Sequence, residues 1–105
     1  MAAVRLSEVE RKYFIRKLGG TQGATKPLNQ IKREYFIAYT GAASLTTSMS
    51  ELEDRWLRKV LTTAGVTFDS EARTHDLWNA MPLAAGVVPS KFVNDNKIKF
   101  YLNEP

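Results

Sequence analysis

Apolar residues recur along this chain in a pattern that itself repeats. Three segments superpose when their first apolar residues are aligned: Leu6-Ser-Glu-Val-Glu-Arg-Lys-Tyr-Phe14, Leu28-Asn-Gln-Ile-Lys-Arg-Glu-Tyr-Phe36 and Met49-Ser-Glu-Leu-Glu-Asp-Arg-Trp-Leu57, at offsets of 22 and 21 residues. Each carries an aliphatic residue three positions on (Val9, Ile31, Leu52). An aromatic and a second apolar residue follow at seven and eight (Tyr13-Phe14, Tyr35-Phe36, Trp56-Leu57). That spacing is one stripe of a 3.6-residue helix. Ser7 with Glu10 and Ser50 with Glu53 have capping-box spacing, and Asn29 is placed to cap alone. Glu8–Lys12, Glu51–Arg55 and Asp54–Arg58 are acid-first i,i+4 pairs. Gly19-Gly20, Gly41 and Gly65 are stop signals.

Beyond the third unit the pattern loosens. Asp69 or Ser70 could cap a helix through Leu77, Trp78 and Met81, with Pro82 ending or kinking it. Phe100-Tyr101 follow Val93 by seven and eight residues, but Asn96 occupies the aliphatic position. The expectation is one all-α domain of four to five short helices, in units 6–19, 28–41, 49–64, 70–82 and 90–103. The linkers from Gly20 to Pro27 and Ala42 to Ser48 read as loops. A lone amphipathic helix of about 12 residues cannot bury its own stripe. The units must therefore pack into a bundle, with the array laid on a partner as the alternative. Tyr13, Phe14, Tyr35, Phe36, Trp56 and Leu57 are the expected buried set.

The chain's 105 residues, 44% hydrophobic and 25% charged, describe an ordinary globular domain rather than a disordered one. With no cysteine, a disulfide framework, a Cys-zinc site and a thiol nucleophile are excluded. The opening Met1-Ala-Ala-Val-Arg-Leu6 lacks an apolar stretch of signal-peptide length, and no segment approaches the roughly 20 apolar residues of a membrane span. His75 is the single histidine and reads as a surface residue. The stretch from Gly19 to Lys26 has the composition of a phosphate-cradling loop, but it follows a helix and places Pro27 where Ser or Thr is needed. No catalytic, metal or cofactor residues are expected, and the chain reads as non-enzymatic with no small-molecule substrate.

Charge changes the picture further. Residues 1–35 hold eight Lys or Arg against three acids, while the remainder is close to neutral. Arg11, Lys12, Arg16, Lys17, Lys32 and Arg33 are therefore the candidate partner-binding bases, with Trp56 and Trp78 as candidate anchors if either is exposed. Basic and aromatic residues interleave along the chain, but on a helix the aromatics take the apolar stripe and the bases the solvent side. The linkers are too long for a helix-turn-helix. A small basic nucleic-acid-binding or regulatory protein is accordingly the second reading, and a host-interacting adaptor a third.

The unit Leu-x-x-aliphatic-x-x-x-Tyr/Trp-Phe/Leu, with its Gly/Thr/Ser linkers, resembles small structural proteins of tailed bacteriophages, particularly those infecting actinobacteria. Leu6 to Phe14 and Met49 to Leu57 carry the resemblance, with Asp76-Leu77-Trp78 and Asn94 to Tyr101 similar in flavour. It implies a non-enzymatic capsid-decorating or minor tail component, assembled in the host cytoplasm into the virion. Its partners would then be other virion proteins, met in many copies per particle, rather than nucleic acid or membrane.

Overall fold

The computed structural model describes residues 5–18, 26–41 and 47–104. These form α1 (Leu6–Lys17), α2 (Leu28–Thr40), α3 (Met49–Thr63), α4 (Thr74–Ala84) and α5 (Val93–Asn103), and no strand occurs among them. The Gly19-Gly20 stop, most of both expected loops and all but Lys26 of the glycine-rich stretch lie outside the described residues.

The repeat governs all five helices, two more than the regular sequence pattern covers. Each of α1, α2, α3 and α5 begins on the first apolar residue of its unit, and α4 begins on Thr74 in the same register. Positions three, seven and eight after that residue point inward. Val9, Tyr13 and Phe14 are buried on α1, and Leu52, Trp56 and Leu57 on α3. Ile31 and Phe36 are buried on α2, with Tyr35 partly buried and packed against the core. Leu77, Met81 and Pro82 follow on α4, and Asn96, Phe100 and Tyr101 on α5. The fourth unit is thus regular in space once its start is moved from residue 70 to 74.

That move has a cause. The Ala72 amide closes a turn onto the Asp69 carbonyl at 3.0 Å, and Arg58 ties that turn to α3, Nη1 donating to the Ser70 carbonyl at 2.9 Å and Nη2 to the Ala72 carbonyl at 2.6 Å. The guanidinium holds the linker out of helix, and Asp69 accepts from the Glu71 amide within a turn instead of capping. The fifth helix is delayed in the same way from residue 90 to 93. Asn96 and Lys99 take the Ser90 and Val88 carbonyls at 3.0 Å each.

The caps differ from the sequence reading as well. Because the helices start on the first apolar residue, the cap positions fall one residue earlier, on Arg5, Pro27 and Ser48. Ser48 Oγ accepts from the Glu51 amide at 3.3 Å, whereas Ser7, Asn29 and Ser50 lie inside the first turn. Glu10 and Glu53, freed from capping, make tertiary contacts instead. Pro82 sits in the last turn of α4 without ending it. The helix stops where the Gly86 amide bonds Leu83 O and the Val87 amide bonds Pro82 O, with Gly86 at φ +75°. This left-handed terminus costs a residue with a Cβ far more than it costs glycine.

Helix contacts run α1–α2–α3–α4–α5 and close from α5 back onto α1. The radius of gyration is 13.5 Å, close to the roughly 13 Å of a compact chain this long, so the bundle and not the extended array is what forms. Trp56 is the hub of the ring. Its indole lies 4.9–6.4 Å, centroid to centroid, from Tyr13, Phe14, Tyr35, Phe36, Trp78 and Phe100, which come from all four other helices. Truncating a ring so enclosed costs about 3–5 kcal/mol.

Candidate functional site

The six candidate bases occupy the α1–α2 side of the bundle, and most of them turn out to be fastened to the protein itself. Arg11 Nη2 donates to the Lys26 carbonyl at 2.9 Å, Arg33 Nη2 to the Thr47 carbonyl at 2.6 Å, and Arg16 Nη2 to the Glu104 carbonyl at 2.9 Å. Lys17 Nζ is 3.0 Å from the Glu104 carboxylate. Lys32 Nζ lies 2.7 Å from Glu10 Oε1 and 5.9 Å from the ring centres of both Phe14 and Phe36. Lys12 and Arg16 are exposed with no ion-pair partner among the described residues, and of these two Arg16 is held by the Glu104 carbonyl.

The same device recurs outside the basic third. Arg58 holds Ser70 and Ala72, Lys59 Nζ donates to the Tyr39 carbonyl at 2.6 Å, and Lys99 holds Val88. Helix-borne cations thus fasten carbonyls at helix ends and linkers, where backbone acceptors lack a helical partner. The expected i,i+4 pairs Glu51–Arg55 and Asp54–Arg58 form at 2.8 Å each. Glu8 and Lys12 are not paired among the described residues.

Neither tryptophan is a surface anchor, because Trp56 and Trp78 are 0% and 1% exposed. Trp78 Nε1 donates to Glu53 Oε1 at 2.8 Å, which explains why that carboxylate is not a cap. Trp56 Nε1 is buried without a hydrogen-bond partner among the described residues. His75 is exposed at the start of α4, 3.2 Å from Asp76 Oδ1. No three His, Asp or Glu side chains come together as a metal cage among the described residues.

Where α1 meets the end of α5, a phenol cluster surrounds Glu104. Burial, and then the Glu104 carboxylate, which also accepts its hydrogen bond, push the Tyr13 hydroxyl far above the ordinary phenol range. Burial and Glu104 also raise Tyr35, to about 12. Tyr101 is raised well above 10 by burial and by Glu10 and Glu53.

The surface feature that sequence reasoning missed lies on the other hairpin. Leu83 in the last turn of α4, and Val88 and Phe92 on the linker between α4 and α5, are 50%, 78% and 66% exposed. Its signal was available in Val87-Val88-Pro89, an apolar run placed between Gly86 and Ser90 where a linker is ordinarily polar. No protein-family model, curated protein or solved structure is significantly similar to the chain, so its chemistry is read from its own residues.

Proposed function

We propose that this chain is a non-enzymatic structural component of a bacteriophage particle, capsid-decorating or tail-associated, that docks as a preformed helical bundle. The observation that carries the reading is the helical unit of Leu6–Phe14, Leu28–Phe36 and Met49–Leu57. These residues bear the resemblance to small phage structural proteins, and the same register extends through Thr74–Pro82 and Val93–Tyr101. The side-chain chemistry is consistent with a scaffold. Arginines and lysines fasten linkers, carboxylates pair with neighbouring helices, and the large rings fill one core. A bundle held this way reaches a partner with little ordering left to do, which lowers the entropy cost of docking. Many copies on a symmetric particle would multiply a weak single contact.

Mass spectrometry of washed particles of the phage that encodes the chain tests the reading, and a stoichiometric presence is expected. Absence from the particles removes it. A footprint at a defined DNA site at physiological salt would promote the nucleic-acid reading in its place.

A further inference from the structure

We infer that residues 102–104 form a strap, clasped to α1 by Glu104, whose release uncovers the Tyr13 hydroxyl while the rest of the bundle stays folded. Where they meet, α1 and α5 run the same way: Tyr13 packs against Phe100 and Tyr101, and Arg16 and Lys17 meet Glu104. Both helices therefore end at one corner. The negative ends of two helix dipoles come together there, and Glu104 adds a carboxylate to them. Left to itself, such a corner repels.

The last turn of α1 closes it. Arg16 Nη2 donates to the Glu104 carbonyl at 2.9 Å, and Lys17 Nζ lies 3.0 Å from Glu104 Oε2. Tyr13, 2% exposed, turns its hydroxyl to the same carboxylate. Among the described residues, the hydrogen bonds and ion pairs that join α1 to the end of α5 all meet on Glu104. The joint is one residue thick.

The rest of α5 is fixed independently of it. Asn96 holds Asn79 and Ser90, Lys99 holds the Val88 carbonyl, and the rings of Phe100 and Tyr101 lie 6.0 and 5.5 Å from that of Trp78. After Tyr101 the chain turns outward: Leu102 is 59% exposed, and Asn103 is exposed too. The boundary between fixed and releasable chain thus falls after Tyr101. A segment with so little buried surface opens at lower free energy than the core. Water also reaches the clasp, since the Lys17 and Glu104 side chains are 22% and 23% exposed. Lifting the strap leaves the Tyr13 phenol beside two cations on α1.

The strap is a property of the chain alone, so the virion reading stands or falls separately. Nitration of the full chain by tetranitromethane at mildly alkaline pH tests it, with each tyrosine followed by peptide mass. In Glu104→Ala, Tyr13 should react about tenfold faster or more, the change expected when one charge-assisted joint is lost. Tyr101, shut against Trp78, should react as slowly as in the parent, with helical circular dichroism unchanged. Losing Glu104 also removes a charge that disfavours the phenolate, so Lys17→Met is the deciding variant. Electrostatics alone would slow Tyr13 there, whereas release of the strap speeds it. Lys12→Met, at an exposed lysine of the same helix, should change nothing. If Glu104→Ala does not fold, Glu104→Gln keeps the shape without the charge and should give a smaller acceleration. Tyr13 slowed or unchanged in Lys17→Met overturns the inference. So does acceleration of Tyr13 and Tyr101 together, or loss of helix in both Glu104 variants, because the corner would then open only with the whole bundle.

Discussion

Lys32 carries its charge into a site walled by Phe14 and Phe36, where Glu10 meets it with both side chains below 15% exposed. Attraction in such a place is strong, but so is the cost of removing each ion from water, and the two nearly cancel. Removing one partner leaves the other uncompensated. Lys32→Met should therefore cost about 3 kcal/mol in chemical denaturation, while Lys32→Met with Glu10→Leu should lie within about 1 kcal/mol of the parent. A double variant as unstable as the single would show that the pair stabilises α1 against α2 outright. Asn96 is the opposite kind of polar core residue, neutral and fully satisfied. Asn96→Leu restores the aliphatic character of the repeat but strands the Ser90 amide and carbonyl. It should cost about 2–3 kcal/mol and speed hydrogen exchange at Ser90. A neutral result would mean that water replaces Asn96 at the linker.

At the level of the helix, Ser-x-x-Glu occurs twice around the start of α3, as Ser48–Glu51 and as Ser50–Glu53. Sequence spacing cannot choose between them; the starting point of the helix does, and Ser48 is the cap. Ser48→Ala should cost about 1 kcal/mol, and Ser7→Ala and Ser50→Ala less than about 0.5, since those two serines occupy first-turn positions. Equal losses at Ser48 and Ser50, read from thermal melts, would return the helix start to the later residue. The late starts of α4 and α5 have the parallel explanation already given by Arg58, Asn96 and Lys99. Side chains from distant helices pin each linker in a turned conformation, and no local pattern reveals such a contact.

The whole molecule unites its helices around Trp56, and its phenols give that union a pH dependence. Tyr13, Tyr35 and Tyr101 all have folded-state hydroxyls raised above the ordinary value of 10, by burial first and by nearby carboxylates second. Their contribution is complete below pH 10. Above it the unfolded chain releases protons that the folded chain keeps, so stability falls as pH rises. Tyr35 stops adding to the loss near pH 12, whereas Tyr13 and Tyr101 continue beyond it. For the buried Tyr13 and Tyr101 the slope approaches about 1.4 kcal/mol per pH unit each. Alkaline titration should show tyrosinate absorbance from these residues appearing together with loss of helical circular dichroism. Ionisation of all four tyrosines near pH 10 with the helices intact would contradict the burial.

The chain by itself determined that it is helical, where its first three helices lie and which residues line them. Those properties rest on local spacing, three and four residues apart, and Tyr13, Phe14, Phe36, Trp56 and Leu57 are buried as that spacing demands. Tertiary structure alone decided what the polar residues do. Arg11, Arg16, Arg33 and Arg58 look from the sequence like a solvated or docking face, yet each reaches a carbonyl 12 to 88 residues away. The same holds for Asn96, which breaks the sequence repeat and closes the α4–α5 turn, and for Leu83, Val88 and Phe92, which the closed turn leaves outside. A hydrophobic stripe is specified by its neighbours along the helix. A hydrogen bond from a long side chain is specified by whatever the folded chain brings within about 3 Å.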